Sequence, residues 1–229
     1  MPTAAAAVEP AAWDPHAKIP TDTSLSRLPT CSLAVATAGL DPLAPLVGLQ
    51  TACGSDIRAS LFKPDQPVPT TGHAARSLAL SHITPADLAG GRRWEAIRPR
   101  LADYLSQLQG GALVTHNAKY HLAVLAAQRI VPPPVVCTMR VAAALRLPQR
   151  LDQLAYTLGV QVADRGPSTG GADATTPVRV WTALVPRLAG QGVRTWGDLL
   201  ALEVGRPGDR ADWRDQVRAA WRQGRSGAP

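Results

Sequence analysis

The order of apolar segments constrains this chain more than any other feature. Three short runs come first: Ser32-Leu33-Ala34-Val35-Ala36, stopped by Gly39, then Leu46-Val47-Gly48-Leu49-Gln50-Thr51, then Ile57-Arg58-Ala59-Ser60-Leu61-Phe62. Each has the length of a strand, and their close spacing suits a meander. Beyond them helical and strand patterns alternate. Ala112-Leu113-Val114-Thr115 and Val135-Val136-Cys137 are short and wholly apolar or nearly so, as strands buried on both faces are. Consecutive strands followed by strand–helix units predict an α/β fold: a mixed sheet of about five strands flanked by helices.

Local signals place the helices. Thr84-Pro85-Ala86-Asp87 combines a threonine cap, proline in the first turn and aspartate three residues after the cap. Trp94, Ile97, Leu101, Tyr104 and Leu108 recur at helical spacing. His116-Asn117 turns into a helix bearing Leu122, Leu125 and Ile130, which Pro132-Pro133-Pro134 ends. Further helices are expected at Met139–Leu145, at Leu151–Leu158 ahead of Gly159, and around Val178, Trp181, Leu184 and Val185. Arg165–Gly171 reads as a glycine- and proline-rich loop. Three parts follow: a loosely ordered arm over 1–30, an α/β domain over 31–188, and a small helical extension over 189–229.

Among 229 residues, 24 are basic and 17 acidic, a net charge of +7. All but Lys18, Lys63 and Lys119 of the basic residues are arginines, whose forked guanidinium suits phosphate. No apolar run reaches the ~18–20 residues needed to span a bilayer, so no membrane is expected as partner. The first residues lack a basic segment followed by an apolar run, which reads against a secretory signal. Cys31, Cys53 and Cys137 are odd in number and lack metal-site spacing, so reduced thiols and a cytoplasmic location are expected.

Five segments, in order, carry a resemblance. Ala38-Gly39-Leu40-Asp41-Pro42 is similar to the tail of a D-T-E-T-T-G-L-D-P strand and turn. Lys63-Pro64, Pro67-Val68-Pro69 and His82-Ile83-Thr84 are similar to N-P…P-I-P…H-G-I-T. Val114-Thr115-His116-Asn117-Ala118-Lys119-Tyr120 resembles V-A-H-N-A-x-F, and Leu151-Asp152-Gln153-Leu154-Ala155 with Leu158-Gly159-Val160 resembles L-D-x-L-A…L-G-I. Asp173-Ala174 ahead of a helix is similar to the last motif. From Cys31 to Val185 the chain thus resembles the DnaQ-like 3′–5′ exonucleases, which carry four acidic residues on a ribonuclease H-like fold.

The resemblance implies two divalent metals held by four carboxylates, with a histidine activating water. Placed on this sequence, the first aspartate falls on Ala34, the glutamate on Ala36, the second aspartate on His121 and the histidine on Ser168. Only Asp173 matches a metal carboxylate, and His121 beside it makes a weak candidate site. The reading is a degenerate exonuclease with no catalytic residue and no cofactor; magnesium or manganese enters only if residual nuclease activity exists.

The function expected is therefore passive binding of nucleic acid, DNA over RNA, as single strands or ends in DNA metabolism or repair. His116, Asn117 and Lys119 are candidate contacts at the strand-to-helix turn. Arg210, Arg214, Arg218 and Arg222 recur every four residues and would form one stripe on a helix, a ladder for phosphates. Two alternatives stand beside this reading: a scaffold, dimeric or beside a replication or repair protein, and a residual metal-dependent exonuclease.

Overall fold

A computed structural model describes residues 19–39, 41, 43–65, 67–69, 71–106, 108, 110–130, 133–204 and 219–220. Its sheet has five strands: β1 (Thr30–Thr37), β2 (Leu46–Cys53), β3 (Asp56–Leu61), β4 (Ala112–Thr115) and β5 (Val135–Cys137). They lie in the order β3-β2-β1-β4-β5. β1, β2 and β3 form an antiparallel meander, and β4 and β5 add in parallel on the far side of β1. This is the expected mixed sheet.

Among the described residues eight helices cover it: α1 (Gly72–Leu80), α2 (Pro85–Ala89), α3 (Trp94–Ser106), α4 (Ala118–Ala127), α5 (Thr138–Ala144), α6 (Leu151–Leu158), α7 (Thr175–Gly190) and α8 (Trp196–Val204). Strand alternation divides their partners. Leu33, Val35, Leu49 and Leu113 pack on α3 and α4 through Leu101 and Leu122. On the opposite face, Val114 and Val136 meet Leu154, Trp181 and Trp196, while Ala34 and Ala36 meet the Leu78 and Leu88 side chains of α1 and α2. Among the described residues, no helix is long and apolar enough to cross a membrane.

Several elements form as their residues dictate. The Thr84 side chain accepts from the Asp87 N–H at 3.2 Å, and Asp87 accepts from the Thr84 N–H at 2.7 Å, a reciprocal cap for α2. Gly159 closes α6 in the left-handed conformation, with φ of 68°. α1 has no such announcement. No side chain caps it, and its first residue, Gly72, itself has positive φ.

Two expectations need correction. Residues 19–30 are not a loose arm: Ile19, Leu25 and Leu28 are buried with Trp196 and Leu199. The Leu25 N–H donates to the Arg194 carbonyl at 2.9 Å, and the Trp196 and Gly197 N–H groups donate to Thr23 and Thr21. Apolar side chains spaced too irregularly to read as an element are stapled by backbone bonds, so α8 shares the main core rather than standing as an extension. The second correction is a Cys31–Cys53 disulfide. Register explains it: Ser32 faces Ala52, so Cys31 and Cys53 are directly opposite, with Cα atoms 4.4 Å apart. Sequence spacing alone does not reveal that pairing. Cys137 is buried, and its Sγ accepts from the Ala118 N–H at 3.4 Å.

Candidate functional site

The far half of β1 has an open edge. β4 pairs only with Thr30, Cys31 and Ser32. The 4.4 Å approach at Cys31–Cys53 marks the narrow kind of antiparallel pair, in which backbone groups point away from the partner strand. Alternation makes Val35 another such residue, so its N–H points away from β2 towards space that β4 does not reach. His121, in the first turn of α4, fills that gap: its Nδ1 accepts from the Val35 N–H at 3.3 Å. The accepting nitrogen holds no proton, so the ring is the neutral tautomer protonated at Nε2. Burial, with help from His116 and Arg165, pushes its pKa down to about 4.

Asp173 sits on the other side of Ala34 and Ala36. It is buried, and its Oδ1 accepts from the Thr176 N–H at 2.9 Å and the Thr175 hydroxyl at 3.2 Å. It therefore serves as a cap for α7. Its Oδ2 is buried without a hydrogen-bond partner. The next N–H, of Ala174, donates to Gln50 Oε1 at 2.6 Å. Gln50 is directly opposite Ala34 across β1 and β2, so the two side chains share a face. Ala34, Ala36, Ala172 and Ala174 belong to one apolar cluster. The structure thus brings Ala34, Ala36 and the Asp173 turn together, with His121 reaching β1 between the two alanines.

Ser168 does not join them as a base. It is exposed, on a single 3₁₀ turn over Pro167–Thr169. The following Gly170 has φ of 66°, and a Cβ there would lie 2.7 Å from the Leu49 carbonyl and 2.8 Å from the Ser60 carbonyl. A Cβ on Gly48, which faces Ala36, would strike the Gly170 carbonyl. Two glycines thus let this loop lie directly on β2 and β3. Arg165, just before it, is close enough to His116 and His121 to lower the pKa of both.

The remaining candidates are placed as follows. His116 Nε2 bonds the Gln149 carbonyl at 2.9 Å and Nδ1 bonds the Thr138 hydroxyl at 2.9 Å. A carbonyl only accepts, so Nε2 carries the proton, and burial lowers the pKa. Asn117 is exposed in the left-handed region, with φ of 58°, and starts α4 without a side-chain cap bond. Lys119 is half-buried. Arg210, Arg214, Arg218 and Arg222 lie outside the described residues. Sequence reasoning missed Gln50, Arg165 and Tyr120, whose hydroxyl bonds the Thr37 hydroxyl at the end of β1. For Gln50 the signal was present: a polar residue amid an apolar strand, in register with Ala34.

These residues do not fit a pair of divalent metals. Such ions need clustered oxygen ligands. Ala34 and Ala36 offer no lone pair, His121 uses Nδ1 on the backbone, and Asp173 uses Oδ1 on α7. Among the described residues, no group of three or more His, Cys, Asp or Glu side chains could hold a metal.

The fold is that of the DnaQ-like exonucleases, a ribonuclease H-like mixed sheet. No protein-family model matches the chain. The chain is similar to a DNA polymerase III subunit epsilon-like protein of Rhodobacter capsulatus, 23% identical over 198 residues, 78% of this chain and 27% of that protein. It therefore spans about a quarter of that relative's length. Exonuclease X, solved in complex with 5′-overhanging duplex DNA, aligns with a TM-score of 0.51 at 18% identity, over 76% of this chain and 99% of the other. Brucella melitensis NrnC aligns with a TM-score of 0.53 at 15% identity, over 92% of this chain and 91% of the other.

Proposed function

We propose that this chain is an exonuclease-like protein that holds nucleic acid without cleaving it, with a single strand or an end of DNA as ligand. The observation that carries the reading is the absence of side-chain oxygens at Ala34 and Ala36, directly beside the capped Asp173 turn. Hydrolysis by paired metals has no ligand set there. The same exchange changes the field: methyl groups replace anions, and Arg165 bears on the His116–His121 side of the cleft. A phosphate can enter without metal to screen it. Asn117, exposed at the start of α4, is assigned to contacts along the strand together with Lys119 and with Arg210, Arg214, Arg218 and Arg222, which lie outside the described residues. The names of the similar proteins, a polymerase epsilon-like subunit and a nuclease bound to duplex DNA, support DNA as ligand and a place in replication or repair.

The test is incubation with end-labelled single strands, in EDTA and in magnesium or manganese. Retardation in EDTA with no shortening in either metal is expected. Shortening that depends on Asp173 would overturn the reading in favour of residual nuclease activity. A protein-partner role has one specific support: a groove of about 640 Å³ between the Lys63–Pro69 loop and α1 and α2, lined by Val68, Leu78, Ile83 and Leu88. Absence of retardation with retained capture of a polymerase or repair protein would favour it.

A further inference from the structure

A second basic concavity lies on the other face of the sheet. It occupies about 210 Å³ between β2, β3 and α3. Its walls include Thr51 on β2, Arg58 and Ser60 on β3, Arg92, and Arg100 and Tyr104 on α3. Thr51 faces Arg58 across the strands, on the same side as Leu49 and Leu33. Ala34 and Gln50 point the opposite way, so this concavity is separate from the degenerate cleft.

Three arginines line it from three segments. The backbone holds Arg92 like an added rung: its N–H donates to the Leu61 carbonyl and its carbonyl accepts from the Lys63 N–H, both at 2.9 Å. The Phe62 and Trp94 rings, 5.2 Å apart edge to face, fix the start of α3 beside it. Arg58 is bound to Asp56 at 2.8 Å. Arg92 and Arg100 make no ion pair with any acid among the described residues. A solvated charged face does not explain the last feature, the Tyr104 hydroxyl. It is buried without a hydrogen-bond partner; Thr51 approaches it, but the two make no bond of acceptable geometry. An unmet buried hydroxyl at the wall of a cavity is a donor awaiting an acceptor.

We propose that this concavity binds a phosphate group, gripped by Arg92 and Arg100 with the Tyr104 hydroxyl as third donor. Guanidinium forks match phosphate oxygens two at a time, and the phenol supplies a directional bond. The volume admits one phosphate and little more than the sugar attached to it. The phosphate belongs either to a free nucleoside monophosphate or to the backbone of a nucleic-acid strand. This site does not depend on the reading of the degenerate cleft.

The experiment titrates the full chain with inorganic phosphate, adenosine 5′-monophosphate and a twelve-nucleotide single strand, by calorimetry at low salt. The comparison variants are Arg92→Gln/Arg100→Gln and Tyr104→Phe. At least one probe should bind, at least tenfold more weakly to the double variant and several-fold more weakly to Tyr104→Phe. The Tyr104→Phe midpoint in urea should be unchanged or higher, because an unsatisfied hydroxyl is removed. Binding of the two small probes identifies a free phosphate, and binding of the strand alone identifies backbone. No binding by any probe, or equal binding by parent and double variant, overturns the proposal. A double variant of Lys119→Gln and Arg165→Gln, neither of which lines this concavity, is the control for the cleft: it leaves this site intact.

Discussion

His121 should make this protein sensitive to acid over a defined range, and His121→Gln should remove that sensitivity. A glutamine keeps an oxygen that can accept from the Val35 N–H but does not titrate in this range. The imidazole's ordinary pKa of 6.5 falls to about 4 in the folded chain, first through burial and then through the field of His116. Above pH 6.5 neither folded nor unfolded chain protonates this ring, and the stability is intact. Below it the unfolded chain takes up a proton that the native state refuses, so stability is lost as pH falls towards 4. The full difference corresponds to roughly 3 kcal/mol, and most of it has gone by pH 4.5. Urea unfolding of parent and variant at pH 7.5, 6.0, 5.0 and 4.5 reads this directly. Other titrating groups, including His116, are common to both proteins and largely cancel in the difference. The parent should lose roughly 2–3 kcal/mol more than the variant between the first and last pH. Parallel losses would show that His121 is not a buried neutral acceptor, and the account of the open β1 edge would fail with it.

Gln50→Ala should cost about 1–3 kcal/mol, because it leaves the buried Ala174 N–H without its acceptor; an unchanged urea midpoint would refute the tie between β2 and α7. The Cys31–Cys53 bridge closes a separation of 22 residues. Its removal by reductant, or by Cys31→Ser with Cys53→Ser, should lower stability by about 3 kcal/mol on the chain-entropy account. Coincident denaturation curves with and without reductant would argue that the bridge is not formed in solution. Millimolar manganese should not shift the melting temperature of the parent, but should raise that of a variant carrying Ala34→Asp, Ala36→Glu, His121→Asp and Ser168→His together. A shift in the parent would reveal a metal site that its side chains are argued not to form.

The sheet was legible because its signals are local: short apolar runs, a threonine–proline–aspartate start, a glycine stop. The strand positions of Ala34 and Ala36 followed from the same register logic. What escaped was set by partners distant in sequence. Cys31 and Cys53 meet only because β1 and β2 align Ser32 with Ala52. Residues 19–30 are ordered by Arg194 and Trp196, far along the chain. His121 reads as an odd ligand in sequence, whereas its role depends on β4 stopping short beside β1. Gln50 and Arg165 have meaning only once the α7 turn and the loop before it are laid on the sheet.

The positions where the resemblance places carboxylates each do structural work of their own, and this bears on how readily a metal ligand set could be built there. Ala34 and Ala36 are buried methyl groups packed with Ala172 and Ala174. An aspartate introduced at residue 34 alone would place a second carboxylate near Asp173 with no cation to separate them, a costly burial of charge. His121 closes a strand edge, and Asp173 closes a helix start. Changing any one of these breaks a bond before it makes a ligand. Single reversions are therefore disfavoured by the fold itself, whereas a concerted set, with metal present, replaces the lost packing by coordination. The contacts that keep these positions folded are thus the same ones that hold their side chains away from a metal.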